Sequence, residues 1–275
     1  MQYFWRLKTE NLPTNKHTRR IILRAFLIPS LLLFALWIII FSIRTVFRKG
    51  PDQPGFFQGN TAFGLTIPGK YAVFGIDVSH HQGSVNWSKV KEMVSNNRKV
   101  TFVFIKATEG ITRQDQNFEE NWEAVRKEGF IRGAYHFFYP SRDAGRQAEN
   151  FISQVSLSKG DLPPVIDIEH TNGRTKKQIC EGLKAFIDEI EAEYDVKPII
   201  YTNISYYNNY LSDDFADYPL WISGYHGEDK FREKFKSGWH FWQYSEDGQV
   251  DGIKGEVDCN VFKGSESDLQ KMCIR

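Results

Sequence analysis

Cysteine is scarce in this chain: three residues, Cys180, Cys259 and Cys273, among 275. So small and odd a number excludes a disulfide framework, and none of the spacings suits a metal site. Cys259 and Cys273 could pair in an oxidising compartment, but buried free thiols are the favoured reading. An excess of charge of one sign is lacking too. Lys and Arg number 35 against 34 Asp and Glu, a net charge of +1, which excludes an acidic tail and the basic surface of a nucleic-acid binder. No glycine-rich phosphate loop follows an apolar run, so no dinucleotide cofactor is expected. His80-His81 has no carboxylate or cysteine at metal-ligand spacing, so no metal is expected either. No internal repeat or low-complexity tract occurs. Aromatic residues are plentiful at 15%, with 22 Phe, 12 Tyr and 7 Trp. Most must serve a core, but the surplus also suits stacking on sugar rings.

One long uncharged run stands out, AFLIPSLLLFALWIIIFSI over residues 25–43. Its length approaches the ~20 residues that span a bilayer as a helix. Arg6, Lys8, Lys16, Arg19, Arg20 and Arg24 precede it, and Arg44, Arg48 and Lys49 follow. The heavier basic charge on the N-terminal side predicts a cytoplasmic N-terminus. A cleaved signal peptide is the competing reading, but the run is long for one and no small-x-small site follows. The expected organisation is a basic cytoplasmic segment over 1–24, a single transmembrane anchor over 25–43, a Gly- and Pro-rich linker over 44–70 and a domain over 71–275. That domain would lie outside the cytoplasm, in a periplasm or at the cell surface.

Within the domain, apolar strand-like runs alternate with amphipathic helical ones. Strands are expected near 71–78, 101–106, 131–137, 164–169, 198–202, 219–223, 239–244 and 256–259. Helical spacing links Phe118, Trp122 and Val125, then Ala144, Ala148, Phe151, Ile152 and Val155, and most clearly Ile179, Leu183, Phe186, Ile187, Ile190 and Tyr194. The helical signal fades after Tyr210. Strand–helix alternation with near-continuous apolar strands predicts a parallel sheet covered by helices. Eight strands point to a closed α/β barrel of the irregular TIM-like (β/α)5(β)3 kind, the last three strands joined by loops. An open doubly wound sheet is the alternative.

The chemistry collects at the expected C-terminal strand ends, where barrel enzymes carry their sites. The run Pro163–His170 delivers Asp167 and Glu169 two residues apart on one strand. Both then point to one face with roots about 6.6 Å apart. Two acids on an otherwise apolar strand are costly unless paired, hydrogen-bonded or used. Asp77 ends the first strand and Asp258 lies on the last; the one could simply cap a turn, the other form a bridge with Lys106. Tyr135, Tyr201, Trp221, Trp242 and Gln243 lie near the other strand ends, as candidates for sugar stacking and polar contact or as core. Lys106 and Glu109 read as a salt-bridging pair. Acids, aromatics and amides at one rim describe a carbohydrate cleft.

In order along the chain stand GIDVSHHQG (75–83), FIKATEG (104–110), GAYHF (133–137), PVIDIE (164–169), IIYTN (199–203), LWI (220–222), WQY (242–244) and VDCNVF (257–262). This series resembles the family 25 glycoside hydrolases, lysozymes that cut peptidoglycan. The resemblance implies an irregular barrel of eight strands and five helices. It also implies cleavage of the β-1,4 bond between N-acetylmuramic acid and N-acetylglucosamine. It makes Glu169 the catalytic acid, with Asp167 two residues before it and Asp77 and Asp258 as the other cleft aspartates. Ser223-Gly224 departs from the commoner pattern after LWI. The expected partners are therefore peptidoglycan strands and, through the anchor, a membrane. Two other readings stay open: a tethered glycan-binding module without turnover, and a hydrolase of another N-acetylated polymer such as chitin.

Overall fold

The computed structural model describes residues 61–225 and 227–275. The expected basic segment and anchor, 1–24 and 25–43, lie outside them. Among the described residues no helix is long and apolar enough to cross a membrane.

The chain enters through a two-stranded hairpin, β1 (Thr61–Ala62) and β2 (Leu65–Thr66). Ala62, Phe63 and Ile67 are buried in the main core, and the Phe63 carbonyl accepts from the Gln249 amide at 2.8 Å. The segment expected as linker up to residue 70 therefore ends earlier, because these apolar side chains find partners on the domain.

Eight further strands close a barrel: β3 (Val73–Val78), β4 (Val100–Glu109), β6 (Ile131–Phe137), β7 (Val165–Asp167), β8 (Ile199–Asn203), β9 (Leu220–Ser223), β10 (Phe241–Gly248) and β11 (Val257–Phe262). A short β5 (Arg113–Gln114) folds back on the end of β4. Neighbouring barrel strands run parallel except β11, which is antiparallel to both β10 and β3. Because β3 pairs with β11 on one side and β4 on the other, no edge is left and the open-sheet alternative is excluded.

The period of two decides which side chains face the barrel interior. Val73, Phe102, Phe104, Val165, Ile199, Tyr201, Trp221, Phe241 and Phe262 form one inner cluster. The intervening residues, among them Phe74, Ile76, Val103, Ile105, Ile166, Ile200 and Trp242, belong to a separate outer core under the helices. Two inward positions must be glycine. A Cβ on Gly75 would sit 2.3 Å from the Phe102 ring, and one on Gly133 2.7 Å from that of Phe104.

Helices α1 (Trp87–Glu92), α2 (Phe118–Lys127), α3 (Ala144–Ile152) and α4 (Lys176–Tyr194) connect the first five barrel strands. The best of them, α4, opens with a capping box of Thr175 and Gln178. The next connection is a short turn, α5 (Ile204–Tyr206), which widens into a π-type turn (Tyr207–Leu211). A two-turn helix, α6 (Glu228–Lys234), joins β9 to β10 where a loop was expected. Phe231 and Phe235, four residues apart and both buried, hold it down. Two turns are too short to leave a periodic signal. The last helix, α7 (Glu266–Met272), puts Leu269 and the following Cys273 into the inner cluster, plugging one end of the barrel. The three cysteines are free thiols, and Cys259 and Cys273 belong to different clusters.

Candidate active site

The inward positions change character toward the C-terminal ends of the parallel strands. On β3 the inward series Val73, Gly75 ends in Asp77; on β7, Val165 is followed by Asp167. On β11, which runs the other way, Phe262 and Asn260 lead to Asp258. Antiparallel register sets Asp77 directly opposite Asp258, and Glu169 lies two residues beyond Asp167. The strand expected over 164–169 ends at Asp167, so Glu169 stands on the connection after it, only partly exposed.

The four acids form two pairs. Asp77 is buried, and its Oδ2 accepts from Gln243 Nε2 at 2.9 Å and from Asn260 Nδ2 at 2.7 Å. The orientation of both amides is dictated from behind. Trp221 Nε1, which can only donate, gives its hydrogen to Asn260 Oδ1 at 2.8 Å. The Tyr201 and Tyr225 hydroxyls each donate to Gln243 Oε1 at 2.7 Å. Both NH2 groups must then face Asp77. Burial pushes Asp77 up to about 6 against these donors and a hydrogen bond with Asp258. Asp258 rises further, to about 9, through burial and the nearby charges of Asp77 and Glu246. A proton shared within this pair therefore resides mainly on Asp258.

The second pair is Asp167 and Glu169. Burial raises both, and His170 followed by a hydrogen bond with Asp167 tempers the rise at Glu169. Repulsion from Glu169 raises Asp167 further, while Lys106 opposes it. Asp167 Oδ1 is buried without a hydrogen-bond partner among the described residues, an acceptor left for something else. Lys106 itself is bound to Glu109 at 2.7 Å, as the sequence suggested, and Asp258 faces Asp77 instead of Lys106.

The expected sugar contacts divide. Tyr135 is partly exposed, and after burial the charges of Asp77, Asp167 and Asp258 are what raise its hydroxyl, so it stands among the acids. Gln243 serves Asp77. Tyr201 and Trp221 are buried below the rim with ring centroids 4.4 Å apart, and Trp221 also stacks on Phe104 at 4.3 Å. Trp242 faces away from the barrel, stacked on Phe231 at 4.3 Å and fully buried. Neither tryptophan can stack on a sugar. The alternation that points Gln243 inward points Trp242 outward, a signal already present in the sequence.

Two residues of the site have no counterpart among the expectations. Asn260 lies inside the VDCNVF run, inward by the same alternation as Asp258. Tyr225 is 43% exposed, its hydroxyl tied to Gln243 and raised, after burial, by Asp258 and Asp77. Its chain neighbour Gly224 fits because a Cβ there would press on Phe231 at 3.0 Å and Ile204 at 3.1 Å.

Paired carboxyls at the C-terminal rim of a barrel, some held protonated by burial, are the equipment of a glycoside hydrolase. The chain belongs to the glycosyl hydrolases family 25, whose family model matches residues 76–253. It is similar to uncharacterized protein YegX of Escherichia coli (strain K12), 39% identical over 209 residues, or 76% of each chain. Lysozyme M1 of Streptomyces globisporus is 37% identical over 236 residues, 80% of this chain and 74% of that protein. Among solved structures, a family 25 glycosyl hydrolase from Bacillus anthracis superposes with a TM-score of 0.69 at 30% identity, covering 79% of this chain and 100% of that one.

Proposed function

We propose that this hydrolase is an N-acetylmuramidase, cutting the β-1,4 bond between N-acetylmuramic acid and N-acetylglucosamine in peptidoglycan, with Glu169 as general acid. The observation that carries the reading is the carboxyl pair of Glu169 and Asp167 at the rim. Burial and proximity oppose loss of both protons near neutral pH. Asp167 rises more than Glu169, so the pair keeps one proton that reaches the departing glycosidic oxygen through Glu169, leaving Asp167 ionised beside Lys106. The unpartnered Asp167 Oδ1 then accepts the N–H of the sugar's 2-acetamido group and turns its carbonyl oxygen toward the anomeric carbon, a substrate-assisted displacement. Asp77 and Asp258 hold charge and one proton beside the developing cation. Tyr135 and the exposed Tyr225 ring contact the sugar.

In this reading the 25–43 segment anchors the enzyme in a membrane with residues 1–24 in the cytoplasm, supported by the distribution of basic residues around it. The catalytic domain then works outside the cytoplasm, within reach of a cell wall.

The test uses the full-length protein and Glu169→Gln on purified peptidoglycan, following turbidity and the new reducing ends. Loss of about 10²–10⁴-fold in rate is expected, with muramic acid at the new ends. Unchanged clearing by Glu169→Gln would refute the acid assignment, and glucosamine ends would refute the muramidase specificity. Cleavage of chitin in preference to peptidoglycan would move the substrate to that polymer.

A further inference from the structure

A cavity of about 220 Å3 opens between the end of β4, the turn after β3 and the β5 flap. Lys106, His80 and Arg113 contribute to its wall, with the side chains of Gln114 and Gln116. Two carboxylates, Glu109 and Asp115, line it as well, but their oxygens are spent. Glu109 Oε2 accepts from Lys106 at 2.7 Å, and its Oε1 accepts from Arg113 at 3.0 Å and the Tyr139 hydroxyl at 2.8 Å. Asp115, whose side chain is 1% exposed, takes the His80 backbone N–H and ring Nδ1 on Oδ2 and the Asn117 N–H on Oδ1. What faces the cavity unspent is therefore donor chemistry. Arg113 uses one nitrogen on Glu109 and is 69% exposed, leaving most of its fork free. Lys106 has further ammonium hydrogens.

We propose that this cavity is an anion subsite that receives a carboxylate carried by the glycan next to the bond being cut. The inference rests on the muramidase reading, since the Lys106 ammonium in the cavity wall acts electrostatically on Asp167. Peptidoglycan offers such a group in two places, the free lactyl carboxylate of an unsubstituted muramic acid and the carboxylates of a peptide stem. Arg113 forms the charge-assisted contact, and Lys106 adds a second positive charge to the pocket wall.

The experiment compares full-length parent with Arg113→Gln and Arg113→Glu on three glycans: peptide-bearing, peptide-free with free lactyl carboxylates, and peptide-free with those carboxylates capped as methylamides. Binding is measured by calorimetry in a Glu169→Gln background, and KM and kcat in the active protein. The expected result is affinity weakened about tenfold by Arg113→Gln on a carboxylate-bearing glycan. Arg113→Glu should weaken it more, with the capped glycan unaffected and kcat preserved. Selective loss on the peptide-free acid assigns the lactyl carboxylate; selective loss on the peptide-bearing glycan alone assigns the stem. Equal loss on all three, or none on any, overturns the subsite. Parent protein that releases no reducing ends defeats the muramidase reading instead, and the binding comparison still decides the subsite.

Discussion

Asn260 donates its side-chain amide to Asp77 Oδ2 at 2.7 Å, across a separation of 183 positions in the chain. The pair meets because β11 returns antiparallel beside β3, and the Trp221 indole prevents the amide from turning over. Replacing Asn260 by Ala removes a donor that favours ionised Asp77, which stands at about 6. The acidic limb of kcat/KM against pH should then move to higher pH, with the Trp221→Phe variant moving it the same way by less. A limb that stays in place while the rate falls would leave Asn260 a merely structural role.

Stability should depend on pH through Asp258. Its carboxyl rises to about 9 in the folded protein, against about 3.9 in an unfolded chain. Between those values the native state holds a proton that the unfolded chain has released, so stability falls as pH rises through this window and levels off above it. Asp77 adds to the fall up to about 6. In Asp258→Asn the decline in melting temperature from pH 5 to pH 9 should be shallower than in the parent. Parallel slopes would contradict the assignment.

Tyr225 and Trp242 should behave oppositely. Tyr225→Ala should raise KM several-fold, as expected for loss of about 1 kcal/mol of ring contact, and leave the melting temperature nearly unchanged. Trp242→Ala opens a hole beside Phe231, Trp239 and Tyr71 and should cost about 3–5 kcal/mol of stability. Calorimetry and initial rates on the two variants separate the roles.

Arg132 is buried, bidentate to Asp161 at 2.8 and 3.1 Å, bonded to the Trp122 carbonyl and stacked 3.7 Å over its ring. Arg132→Met should destabilise by about 3–5 kcal/mol, because it leaves Asp161 charged and buried without its partner. Arg132→Met with Asp161→Asn should recover part of the loss, as measured by urea unfolding.

Much of this architecture is legible without coordinates. Apolar runs of four to eight residues separated by helical spacing identify the strands, because burial on both faces demands continuous hydrophobic sequence. The same alternation marks Asp77, Asp167 and Asp258 as inward. It also decides between the two readings of Trp242, which lies in the core, since two neighbours on one strand cannot share a face. The short α6 and the hairpin at 61–66 escaped because neither is long enough to show a period.

The sequence by itself determined the strand series, the inward acids and the family motifs, since these follow from local periodicity and residue chemistry. Only the tertiary structure decided how the acids combine. The antiparallel return of β11 closes the barrel and sets Asp258 against Asp77. Two amides locked from behind then choose which oxygen of Asp77 accepts. Such pairings depend on contacts between residues far apart in the chain, and no local pattern encodes them.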